Sequence, residues 1–513
     1  MTHPASIEVV RDGDRDAPNV RRRAAMAVTL TCFAGVLGGL AIRDLLTVPD
    51  DSARRLALAK GLELAPGVDP RWLDTSPPPL PKREVPQRML GAWSNLAQRM
   101  VHCELNETAL LALWQKGTGL AAIFGADAPR EFDVFTMPNN EAVPRFRYPP
   151  LVTFPDGLTT NSFGFRGPDL ALNKAAATVR IAVVGASAAI DDHHFAWSFP
   201  ELIGHWLELW SEANDLGVHF EVINAGRESI VSTEIRAIVQ YEVLPLAVDY
   251  IAYYEGQNQF GPAHLLRHVE VDGEFTPGQP PPESVTDLRM VDEHPANLLD
   301  RAAPNSANAR RLRRVLGSYD DLPEPPKPTQ RLVLPQGLDE LHPDLARAGE
   351  LLQLGIILPD LDGIRIACDA VHCRLVMCSF HALVHPGLRC DLKEGHSLYH
   401  QLNHTYWPLS YDSLQRLSDL QNRYFEAWAA ARNVPFLDVA NWLPDDPVLF
   451  SDMVHASESG SRMRAWVMFC GLIPILERDL RSGAVPVPDT TLDTEHPFLG
   501  PTRHVTAAAL DAR

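Results

Sequence analysis

The stretch V-R-I-A-V-V-G-A-S-A-A-I, Val179 to Ile190, decides the fold. Its β-branched and small apolar run, Ile181 to Val184, reads as a buried strand. The run stops at Gly185, and Ser187 follows at once. Open α/β sheets present reactive groups to a crevice in this way, on a turn at the carboxyl end of a strand. A Gly-x-Ser by itself serves equally well as a helix cap or turn, so the surrounding chain has to decide.

Downstream the pattern alternates strand and helix, which implies a parallel sheet with right-handed crossovers. A striped helix near Phe199–Trp210 follows the first strand. Strand Phe220–Ile223 runs into Asn224, Ala225 and Gly226, and a helix spans about Ser232–Leu244. Strand Asp249–Tyr254 runs into Glu255, Gly256, Gln257 and Asn258. A Pro- and charge-rich insertion occupies about 260–351. The alternation then resumes with helix Leu361–Val371, strand Arg374–Ser379, helix Ser413–Arg432 and strand Pro435–Val439. An amphipathic helix, Ser461–Leu480, closes the domain, and residues 481–513 form a loosely ordered tail.

Three successive strands therefore end in Ser187, Gly226 and Asn258, and parallel strands bring such ends to one crevice. A nucleophilic serine needs a base, an acid to orient that base, and donors for the developing oxyanion. The segment F-S-D-M-V-H-A-S-E-S-G, Phe450 to Gly460, offers Asp452 and His455 just before the last helix. Three residues apart on a short loop, the carboxylate can hold one imidazole nitrogen and leave the other for Ser187. The Ser187 and Gly226 backbone N–H groups and the Asn258 amide are the candidate oxyanion donors.

This set resembles the block signature of the SGNH (GDSL-type) hydrolases, over about Val179 to Leu480, in its membrane-anchored bacterial form. The matching blocks are Gly185-Ala186-Ser187, Asn224-Ala225-Gly226, Gly256-Gln257-Asn258 and Asp452-Met453-Val454-His455. The resemblance implies a three-layer α/β/α, flavodoxin-like fold with Ser187 as nucleophile, His455 as base and Asp452 as its orienter. It also implies an oxyanion hole of Ser187, Gly226 and Asn258, with no cofactor and no metal. The departure is Ala186, where the namesake motif carries Asp; that position is not a reacting group. The segment Asn161–Pro168, N-S-F-G-F-R-G-P, also resembles one that precedes the serine block in membrane-anchored bacterial members, and two glycines around Arg166 read as a structural turn.

Other polar groups are weighed against blander roles. Arg227 and His194 are expected to touch substrate, and Asp191, Asp192 and His193 to form a polar pocket rim with His194. Glu228 is read as pocket lining or a rim ion pair, and His381 and His385 as surface. Trp407 and Tyr411 can stack on a sugar, although partly exposed core aromatics are commoner. Seven cysteines have no zinc-like spacing, and Cys368 and Cys378 sit in apolar patterns as buried thiols. Asn106 and Asn403 occur in Asn-x-Thr contexts.

The 513 residues suffice for one large domain with insertions or for two or three domains. A formal charge of −19 argues against a nucleic-acid binder and against a binder of anionic lipid surfaces. At the N-terminus, residues 1–20 read as a disordered cytoplasmic tail. Arg21, Arg22 and Arg23 then abut the uncharged run Ala24–Ile42, which spans about 28 Å as a helix. The arginines predict a cytoplasmic N-terminus, so residues 21–43 are expected to anchor an exported, periplasmic or extracellular, domain. Residues 44–88 read as a Pro-rich linker and 89–178 as a small accessory region packed on the main domain. The expected activity is a membrane-anchored serine esterase acting on a small acyl ester or acylated carbohydrate. An O-acyltransferase of envelope polysaccharide with the same residues, and a non-catalytic polysaccharide-binding protein on this fold, are the alternatives.

Overall fold

A computed structural model describes residues 67–83, 157–191, 195–228, 230–256, 258–260, 328–388, 398–399 and 401–487, with isolated positions nearby and the backbone of a few short strands. The expected cytoplasmic tail and anchor, most of the accessory region, much of the 260–351 insertion and His194 lie outside the described residues. Among the described residues no helix is long and apolar enough to cross a membrane.

The strands foreseen from Val179 onward form one five-stranded, all-parallel sheet. They are β1 (Thr178–Val184), β2 (His219–Asn224), β3 (Tyr250–Tyr253), β4 (Arg374–Cys378) and β5 (Phe436–Leu437), in the order β2-β1-β3-β4-β5. That is the doubly wound order with a switch point between β1 and β3. The helices are α1 (Ser187–Ile190), α2 (Phe199–Ala213), α3 (Ser232–Ile238), α4 (Leu354–Ala370), α5 (Tyr411–Ala431) and α6 (Glu458–Arg481). Right-handed crossovers decide their sides. The chain moves one way from β1 to β2 and the other way for every later step, so α2 lies on one face and α3, α4 and α5 on the other. α6 joins α2, where Trp206 and Trp466 meet edge to face at 5.1 Å between ring centroids. Truncating either tryptophan would cost about 3–5 kcal/mol.

Every residue of β1 is buried, as a central strand covered on both faces requires. α2 opens on a capping box, with Ser198 N–H donating to Glu201 Oε2 at 2.7 Å.

Three expectations change. Helix α4 begins at Leu354, not Leu361, and carries Pro359 inside it. Burial of Leu354, Ile357, Leu358 and Leu361 outweighs the roughly 3 kcal/mol that an interior proline costs. Part of the proposed linker is no linker: over 67–83 it is strapped along α6. Leu73 is fully buried there, and Arg462 donates to Leu73 O at 2.9 Å, Thr75 O at 2.6 Å and Ser76 Oγ at 2.6 Å. α6 is consequently buried on nearly all sides rather than amphipathic. The far end of the insertion also docks on the domain, through Leu332, Leu351 and Leu352.

Candidate active site

Ser187 opens α1, a single turn entered directly from β1 through Gly185 and Ala186. Only glycine fits at 185, because a Cβ there would stand 2.1 Å from the Tyr254 carbonyl oxygen. The turn is closed at Asp191, in the left-handed region at φ 62°, whose N–H donates to Ser187 O at 3.1 Å.

The base loop is built locally. Phe450 and Ala456 bridge its two ends, and Ser451 N–H donates to His455 O at 2.9 Å. Asp452 Oδ1 accepts the Val454 and His455 N–H groups, each at 2.8 Å, which winds the loop around the carboxylate. Its Oδ2 lies 2.7 Å from His455 Nδ1, and His455 Nε2 lies 2.8 Å from Ser187 Oγ. With Nδ1–H donating to the carboxylate, Nε2 is left to accept the Ser187 hydroxyl proton. Burial raises the Asp452 pKa, but the imidazole and the two backbone donors outweigh it and hold the carboxyl below its ordinary range. The carboxylate therefore stays ionised opposite the imidazole.

The expected oxyanion donors lie beside this line. Gly226 presses against α1, where a Cβ would come within 2.3 Å of Ile190 N. Its N–H donates to Asn224 Oδ1 at 3.1 Å. Asn258 gives one amide hydrogen to Ile230 O at 2.8 Å, and the second remains for a ligand. The Ser187 N–H, in the first turn of α1, has no partner within the helix.

Glu255 was not foreseen in any role. It is 2% exposed, and its Oε2 accepts the Ala186 N–H at 2.9 Å while Oε1 accepts the Asn258 N–H at 3.1 Å. One carboxylate thus ties the residue before Ser187 to the candidate amide donor. A glutamate directly after a buried strand was the only signal.

Several expectations are corrected. Arg227 does not present itself to a ligand: it is fully buried, paired with Glu242 and 5.9 Å from the Phe165 ring centroid. Glu228, like it, is buried. Asp191 is no rim residue but a 1% exposed carboxylate accepting from Phe199 N at 2.7 Å and from Ser461 Oγ. Burial pushes its carboxyl up, against the pull of Arg464, Ser461 and Arg166. His381 is 4% exposed, held by Ala440 O at 2.9 Å and stacked on Phe450. Tyr411 is buried and bonds Asn403, itself fully buried, so neither offers a sugar platform or a glycan acceptor. Asp192 and His193 lie, with His194, outside the described residues.

Arg166 does anchor its turn, donating to Ile190 O at 3.2 Å, Asp191 O at 2.6 Å and Phe195 O at 2.8 Å. Cys368 and Cys378 are free and buried, as are Cys373 and Cys470. Among the described residues no group of three side chains is arranged to hold a metal ion. A cavity of about 310 Å³, between α2, β2 and the 67–83 strap, contains none of Ser187, Asp452 or His455.

No protein-family model and no curated protein matches the chain. Solved structures do resemble it. An acetylxylan esterase from Geobacillus stearothermophilus aligns over 57% of this chain and 94% of its own, at 11% identity and a TM-score of 0.29. The lipase/acylhydrolase from Enterococcus faecalis aligns over 58% and 96%, at 11% identity and 0.30. A GDSL-like lipase from Bacteroides thetaiotaomicron aligns over 58% and 88%, at 11% identity and 0.26.

Proposed function

We propose that the chain is a serine esterase of the SGNH type that cleaves an O-acyl ester, with a small acyl ester or an acylated carbohydrate as its substrate class. One observation carries the reading: His455 reaches Ser187 Oγ with one ring nitrogen and Asp452 with the other, at 2.8 and 2.7 Å. In the first half-reaction Ser187 Oγ attacks the acyl carbonyl and its proton passes to His455 Nε2. Asp452 stabilises the imidazolium without taking the proton. The oxyanion meets the Ser187 N–H and the second Asn258 amide hydrogen, and the Gly226 N–H joins them by exchanging its bond to Asn224 Oδ1 for the oxyanion. The imidazolium then protonates the departing alcohol. A water, deprotonated by His455, releases the acid and restores Ser187.

The anchor belongs to the same proposal, on the strength of Arg21–Arg23 and the apolar run after them. It places the catalytic domain outside the cytoplasm. Sedimentation of the full chain with membranes, and its release by detergent but not by alkaline carbonate, tests that part. Hydrolysis of short-chain p-nitrophenyl esters by the wild-type chain and by Ser187→Ala tests the chemistry. Equal rates from the two proteins would end the reading.

A further inference from the structure

We infer that Arg464 is the positioning residue that holds the nucleophile turn and the base loop at the spacing their hydrogen bond needs. The inference rests on the esterase reading and adds to it a residue that touches neither substrate nor the reacting atoms.

Arg464 lies on α6 and is fully buried. Its Nη1 donates to Ala188 O at 2.9 Å, and its Nη2 to Val454 O at 3.3 Å. Ala188 is the residue after Ser187, and Val454 is the residue before His455. One planar guanidinium therefore spans the two segments whose separation sets the Ser187–His455 contact. Guanidinium nitrogens sit in a rigid fork, so fixing both carbonyls fixes the distance between them. The acceptors need such a donor. Ala188 O belongs to a single helical turn that cannot satisfy its own carbonyls, and Val454 O lies in a loop.

One carboxylate and two aromatic rings face the charge, while its Nε has no hydrogen-bond partner among the described residues. Asp191 Oδ1 stands 3.7 Å from Nη1, and the Phe199 and Tyr254 ring centroids lie 5.6 and 5.1 Å from the guanidinium carbon. Filling this volume alone would not call for a charge, since an apolar side chain does it at less desolvation cost. What an apolar side chain lacks is the two donors to the two catalytic turns. Reacting groups displaced by about 1 Å lose on the order of 10²-fold in rate.

Arg464→Lys keeps a charge but has no fork, and Arg464→Met keeps neither. Arg462, two residues away, supplies the control: it is also buried, but its bonds go to the 67–83 strap. Active sites are titrated with a fluorophosphonate, so that kcat is expressed per competent serine and misfolded protein is not counted. The expected result is a kcat about tenfold lower for Arg464→Lys and about 10²-fold lower for Arg464→Met, with KM within about threefold of wild type. Fluorophosphonate labelling should slow in parallel. Arg462→Met should lower the melting temperature and leave kcat per site unchanged. Wild-type kcat per site in Arg464→Lys overturns the inference, whether or not Arg464→Met folds. So does an equal loss in Arg462→Met. A wild-type chain that neither labels nor hydrolyses esters overturns the esterase reading itself, and the positioning role with it.

Discussion

Two carboxylates at opposite edges of the same sheet show how one kind of chemistry serves two ends. Asp249 precedes β3 at the amino edge, is fully buried, and has every interaction closed within the framework. Lys174 Nζ donates to both its oxygens at 2.8 Å, and the Arg180 and Val487 N–H groups donate at 2.7 and 2.6 Å. Asp452, at the carboxyl edge, also takes two backbone N–H groups. Its third donor, however, is an imidazole whose far nitrogen meets Ser187 Oγ, a group that is only half-buried. At one edge the hydrogen bonds end on the framework, and at the other they end on a hydroxyl a ligand can reach. The first arrangement closes every bond within the fold, and the second leaves a hydroxyl aligned on an imidazole.

Substitutions at the two edges should therefore separate rate from stability. The largest effect is expected for Ser187→Ala, on the order of 10⁵-fold in kcat, with an unchanged thermal midpoint, checked by ester hydrolysis and calorimetry. Asp452→Asn should lower kcat by about 10³–10⁴-fold, because the imidazole loses the partner that sets its tautomer. Lys174→Met at the amino edge should do the reverse. Stranding the buried Asp249 carboxylate should cost about 3–5 kcal/mol in denaturant unfolding and leave kcat of the folded protein unaltered. A loss of kcat per labelled site in Lys174→Met would erase the contrast between the edges. Asn258→Ala should lower kcat by about 10²–10³-fold with little change in KM, if the amide acts on the oxyanion.

The smallest effect is a pH dependence. The Asp452 carboxyl is held below its unfolded value, so its contribution to stability is complete above the ordinary aspartate range. It is lost as pH falls through the folded value. The stability gap between wild type and Asp452→Asn should narrow as pH falls below the ordinary aspartate value of about 4. A gap that widens on acidification would contradict the sign.

The strands and the Asp452–His455 pairing were legible because each is encoded locally. The first two strand runs end at Gly185 and Asn224, and Asp452 makes its loop contacts within three residues. The misreadings share a different cause. Arg227 looked like a pocket cation because Glu242, its partner, is fifteen residues away. The Pro-rich strap looked like a tether because Arg462, which binds it, lies almost four hundred residues downstream. Arg464 carries no local signal, since charges on a helix ordinarily face water; here its face of α6 packs against the Ser187 turn and the Asp452–His455 loop, more than two hundred and about ten residues away. Glu255 bonds Ala186, whose position in the β1–α1 turn no local pattern links to it. Long-range polar pairing has no periodicity to read.

The central claim is that Ser187 is an activated nucleophile. Treating the wild-type chain with a fluorophosphonate and mapping the modified peptide tests it most directly. The adduct is predicted on Ser187, at a rate that collapses in His455→Ala. An unmodified Ser187 in wild-type protein, or equal labelling of the Ser187→Ala variant, would contradict it.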